Sequence, residues 1–174
     1  MKFKKFSPLF AVCLCLFAAA AAFAQTQKFD DENVEYVFDV PEATWKMIGK
    51  PSSTSPNVEY VYGDRANGHL EVRKITVKPE SVLADAIADE ETKLKFMQGY
   101  VAGREENFAG NLRGTVFNFE FVRSGRNYSG RFYFLKASPT TVYVLRFTGL
   151  KDKLLSIRNQ TDSIARTFQL KKAA

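Results

Sequence analysis

Histidine and cysteine are nearly missing from this sequence, and their scarcity excludes much chemistry. His69 is the only histidine in 174 residues, and the two cysteines, Cys13 and Cys15, both lie close to the N-terminus. No two-histidine metal centre can form, and a zinc site would need several carboxylates beside His69. The nearest is Glu71, two residues along the same strand face; a lone histidine just after Gly68 reads instead as a surface residue, so no metal or cofactor is expected. A G-x-S-x-G nucleophile elbow is absent. The glycines between Gly99 and Gly110 match neither the Walker nor the dinucleotide-binding pattern, and no calcium loop of the EF-hand type occurs. The acidic clusters Asp30-Asp31-Glu32, Asp89-Glu90-Glu91 and Glu105-Glu106 are runs of neighbours. Glycoside hydrolysis needs two carboxyls facing across a cleft, which such runs do not supply. Long hydrophobic runs are also lacking, since the apolar stretch near the start covers about 15 residues against the ~20 that span a bilayer as a helix.

That stretch has a different meaning. Lys2, Lys4 and Lys5 precede it, no charged residue lies between Leu9 and Ala24, and it closes on Ala22-Phe23-Ala24 before Gln25. Positive start, apolar middle and small residues at −3 and −1 make residues 1–24 a cleavable signal peptide, with processing between Ala24 and Gln25. Val12 and Leu14 precede the cysteines where a lipoprotein signal would carry a small residue. The mature chain is thus expected to be exported, periplasmic or extracellular, without a stable membrane span. It would also lack cysteine, although its compartment permits disulfides, and about 150 residues are enough to hold a domain together by burial alone. Three of the 25 basic residues leave with the leader, so 22 face 19 acidic ones. The precursor's basicity is partly an address, and export removes nucleic acid as a partner.

Residues 25–33 are polar and acidic and read as an N-terminal arm, followed by a single α/β domain over 34–170. Val34, Tyr36, Phe38 and Val40 alternate as in a half-buried strand that ends at Pro41, and Thr44–Ile48 forms a second. Val58–Tyr62 and Leu70–Val77 make a hairpin, with a change of apolar parity near Arg73-Lys74 that predicts a bulge. Ser81 caps a helix running to about Met97, and 99–110 reads as a connection. Phe117, Phe119, Phe121, then Phe132, Phe134, then Tyr143, Leu145, Phe147 form an aromatic meander face. Val116, Val122, Tyr133, Leu135, Val142 and Val144 occupy the reverse, interrupted by Asn118, Glu120, Arg131 and Arg146. A final helix spans about Lys151 to Phe168. With both sheet faces apolar, the expected fold is α+β: an antiparallel sheet with a helix on each face, a three-layer α/β/α sandwich.

The opening Tyr36-Val-Phe-Asp-Val-Pro41 with Trp45, and the closing Ser163-Ile-Ala-Arg-Thr-Phe168, resemble the PsbP-like superfamily. The resemblance covers nearly all of residues 33–170. It implies an αβα sandwich that acts in binding or assembly and has no common catalytic site to transfer.

One constellation stands out. Arg123, Arg126 and Arg131 surround a turn with Gly125, Asn127, Tyr128 and Gly130. Guanidiniums around exposed backbone amides suit a sulfate, phosphate or carboxylate group on a partner, so Arg123, Arg126, Tyr128 and Arg131 are the expected binding residues. The bland alternative is a solubilising turn whose arginines shield a sheet edge. Three functions follow: a non-enzymatic binding or assembly domain acting on a protein or envelope component; a carrier of a small apolar, lipid-like ligand, given the abundance of Phe and Tyr; and a small exported hydrolase.

Overall fold

Alternating apolar and polar side chains fold about half of the described residues into antiparallel strands. The structure, a computed structural model, describes residues 26–172, so the signal-peptide cleavage at Ala24 and Gln25 lies outside the described residues. In chain order the elements are β1 (Gln27–Asp30), β2 (Tyr36–Val40), β3 (Trp45–Gly49), β4 (Val58–Tyr62), β5 (Asp64–Thr76), α1 (Leu83–Leu94), β6 (Val101–Ala109), β7 (Arg113–Arg123), β8 (Arg126–Ser138), β9 (Thr141–Leu150), α2 (Lys151–Ser156), α3 (Arg158–Thr167) and β10 (Gln169–Leu170). Two sheets result: a seven-stranded one in the order β3-β4-β5-β9-β8-β7-β6, and a small one in the order β1-β2-β10.

Each face of the large sheet anchors its own apolar cluster. On one, Val72, Val116, Tyr133, Leu135, Tyr143, Leu145 and Phe147 meet Leu154 and Ile157 of the α2 region, Ile164 and Phe168 of the α3 region, and Phe29, Tyr36 and Phe38 of the small sheet. On the other, Phe117, Phe119, Phe121, Phe132, Phe134, Val142 and Val144 meet Ala86, Ile87 and Leu94 of α1. Each fully buried Phe contributes about 1.5–3 kcal/mol relative to exposure. Trp45 donates its indole N–H to Gln160 Oε1 at 2.8 Å and sets its ring edgewise on Phe147. The aromatic-Pro-Trp opening therefore ties β3 to α3.

Several expectations need correcting. Tyr143, Leu145 and Phe147 do not share the phenylalanine face. Phe134 pairs with Val144 and Leu135 with Tyr143, and directly opposed residues lie on the same side, so Val142 and Val144 join the phenylalanines instead. The parity change in β5 is not a bulge, because pairing with β9 runs without a break from His69 to Thr76. Leu70 and Val72 are buried on one face, and Ile75 packs on the other. The expected arm is partly a strand: β1 pairs with β2 from Gln27 to Asp30, with Phe29 buried. Residues 101–109 form edge strand β6, which lacks apolar alternation because it is mostly exposed. Val82, not Ser81, caps α1, and its backbone N–H donates to Asp85 Oδ2 at 3.0 Å. The last helix breaks at Ile157, whose φ of −101° and ψ of 14° leave the helical region. The second face is covered by α2, α3 and the small sheet together, where one helix was expected.

Candidate functional site

The β7–β8 connection is a two-residue turn. Ser124 and Gly125 both have positive φ, 51° and 71°, the type I′ geometry that matches strand twist. Arg126 and Asn127 therefore already belong to β8, and Arg123 and Arg126 are direct cross-strand partners. Both are exposed, and among the described residues neither has an ion-pair partner. Tyr128, on the same face, pairs with Phe121 and is half-buried with its ring 5.5 Å from that of Phe121. It supports the hairpin.

Arg131 does not join this group, although the sequence places all three arginines around one turn. It lies five residues along β8 from Arg126, roughly 17 Å at strand rise, and its odd parity points it to the opposite face. There it is 7% exposed. Its Nε donates to Tyr133 Oη at 2.7 Å, Nη1 to Asn118 Oδ1 at 2.8 Å and Nη2 to Asp162 Oδ1 at 2.8 Å. Tyr133 donates in turn to Asp162 and lies 3.0 Å from Thr161 Oγ1. Burial opposes the charge, yet Tyr133 and Asp162 together hold the Arg131 guanidinium above its ordinary value. Burial likewise pushes the Tyr133 phenol above its ordinary range. With these donors engaged, Arg131 fastens the meander to α3.

Next to it is a cleft of about 280 Å³, walled by the charged Glu106, Arg131 and Arg158 and by the apolar Phe119, Leu154 and Leu155. Arg158 pairs with Glu106 at 3.2 Å and Lys151 with Glu120 at 2.7 Å. Gly130 forms part of its floor because the Phe119 ring occupies the other side; a Cβ there would stand 2.1 Å from Phe119 Cζ. A shallower hollow lies between Arg126, Leu150, Lys153 and Leu155. His69 bonds Glu59 at 2.9 Å, while Glu71 turns to Arg73 and Arg146. Among the described residues no group of three or more His, Cys, Asp and Glu side chains could hold a metal ion.

Sequence reasoning missed Asp162 and Glu106, which reach Arg131 from α3 and β6 with no local signal, whereas Asn118 stands directly opposite Arg131 across the β7–β8 hairpin. It also missed Phe96, which is 89% exposed. That residue could have been found, because it falls off the apolar stripe through Leu83, Ala86, Ile87, Leu94 and Met97.

Neither a family model nor a curated protein matches this chain in sequence. Solved structures do match in shape. Cyanobacterial PsbP (CyanoP) from Synechocystis sp. PCC 6803 aligns over 87% of this chain and 96% of its own, with a TM-score of 0.57 and 12% identity. LpqN, involved in cell envelope biogenesis of Mycobacterium tuberculosis, aligns over 85% and 92%, at 0.55 and 14%. A point mutant of the protein Mog1 aligns over 83% and 95%, at 0.60 and 11%. At such identities the likeness is one of fold. The fold is PsbP-like.

Proposed function

We propose that this chain is an exported, non-enzymatic binding or assembly domain, and that the sheet end carrying Arg123 and Arg126 docks on a protein or another envelope component. The observation that carries this reading is the arginine pair itself. Like charges directly opposite each other destabilise a hairpin, and this pair stands at an exposed tip with no ion-pair partner among the described residues. A partner bearing an anionic group would supply one. The leader over residues 1–24 supports export to a periplasmic or extracellular location. At finer grain the reading treats the fold as a three-layer α/β/α sandwich, supported by the side chains of α1 in one apolar cluster and those of α2 and α3 in the other.

The test is capture from native envelope extract, comparing the wild type with the Arg123→Glu/Arg126→Glu double variant. The wild type should retain a partner that elutes with salt, and the variant, which exchanges one like-charged pair for another, should lose it with its melting temperature little changed. An identical captured set from both proteins rejects the reading.

A further inference from the structure

Three large apolar side chains protrude from the same end of the molecule as the arginine pair. Phe96 follows α1 and is 89% exposed, Val101 opens β6 at 60%, and Leu155 lies on α2 at 68%. Backbone pairing places them there. Val122 donates its N–H to Gln98 O at 2.7 Å, which brings the segment after Phe96 to the tip of β7. Val101 pairs with Glu120, three residues before Arg123. Leu155 shares a hollow with Arg126, Lys151 and Lys153. Phe96 leaves from the α1 side of the sheet and Leu155 from the α2 side, so the two flank the hairpin.

Basic side chains surround these protrusions. Arg123, Arg126 and Lys153 are exposed and have no ion-pair partner among the described residues. Lys95 and Lys151 keep 58% and 54% of their side-chain surface in water while reaching Glu91 and Glu120. Five cations thus stand against three carboxylates, those of Glu91, Glu120 and Asp152. Protein interfaces concentrate their apolar area in one packed patch. Here separate apolar tips rise from different elements within a basic ring, the pattern that lets side chains enter the headgroup layer while cations meet lipid phosphates.

We infer that this end of the domain docks on an anionic phospholipid surface, with Phe96 as the main inserting side chain and Arg123, Arg126 and Lys153 as phosphate contacts. The inference rests on the reading above that the Arg123–Arg126 end is the docking end, and it names the partner's chemistry.

Vesicle flotation tests it, using protein purified from its producing cells with the N-terminus determined by mass. Vesicles of phosphatidylcholine with about one-third phosphatidylglycerol are compared with pure phosphatidylcholine. Every variant carries the same N-terminus, so any contribution of residues 1–24 cancels. Binding is expected on the anionic vesicles alone and should fall in high salt. Phe96→Ser should weaken it about tenfold, the size expected for losing one buried aromatic side chain, and Arg123→Glu/Arg126→Glu should abolish it. Met47→Ser, an exposed apolar position on β3, should change nothing. Because Trp45 is buried, Phe96→Trp adds a solvent-facing reporter whose emission should shift to the blue on anionic vesicles. Equal binding to both vesicle types, or indifference to Phe96→Ser, overturns the inference. So does the absence of vesicle binding; if envelope capture then still depends on Arg123 and Arg126, an acidic protein is the partner and the broader docking reading survives.

Discussion

Arg131 and Arg146 occupy neighbouring strands of one sheet and face opposite ways. Arg131 has its donors matched by Tyr133, Asn118 and Asp162, and its pKa is raised. Arg146 lies over the Phe132 ring, its guanidinium carbon 4.8 Å from the ring centroid. It reaches Glu71 at 3.3 Å and Glu90 at 3.6 Å, but its buried Nε has no partner among the described residues. Burial, with Arg73 nearby, lowers its pKa. A guanidinium can be buried safely when several planar acceptors converge on it, and Arg146 is only partly met. The face with α2, α3 and the small sheet carries a polar lock. The face under α1 relies on its phenylalanines.

The comparison breaks first at Asp162. Asp162→Ala would leave Arg131 buried with its main counter-charge removed, and urea unfolding should show a loss of about 3–5 kcal/mol. If the loss is no larger than for an exposed pair, the lock is not structural. Arg146→Met should cost much less, about 1 kcal/mol or below, because Glu71 keeps Arg73 and Glu90 keeps Lys93, and a thioether packs well on Phe132. Equal costs for the two changes would erase the distinction between the faces.

The smallest effect concerns acid. Glu35 lies at the edge of the Arg131 face. Burial opposes its ionisation, but hydrogen bonds from Lys74 and Tyr143 outweigh it and hold the carboxyl at about 2, against an ordinary 4.5. A depressed folded pKa contributes stability above the ordinary value and loses it as pH falls toward the folded one. Melting temperature should therefore decline between pH 4.5 and 2, and Glu35→Gln should flatten that decline. Parallel curves would remove Glu35 from the account.

The legible parts of the fold were those where burial is one-sided. Phe117, Phe119 and Phe121 alternate with less apolar residues, so β7 could be placed with its inward face. β9 could not, because Val142 and Val144 on one side are as apolar as Tyr143, Leu145 and Phe147 on the other. A period of two then marks a strand without saying which way it faces, and only the pairing with β8 decides. Edge strand β6 and the short β1 gave little signal because they bury little. The site was half legible. Arg123, Arg126 and Tyr128 are local to one hairpin, whereas Arg131 follows them in sequence but turns away, and its acceptors arrive from β7 and α3.

The small sheet has a mechanical consequence. β2 is flanked by β1, whose Gln27 pairs near one end of β2 at Val40, and by β10, whose Leu170 pairs near the other end at Tyr36. Tension applied to residues 27 and 170 therefore pulls the two flanking strands in opposite directions along β2. Their hydrogen bonds are loaded together in shear, the geometry in which they must break as a group. A domain held by its ends would carry strain in these few backbone contacts before any of it reached the seven-stranded sheet.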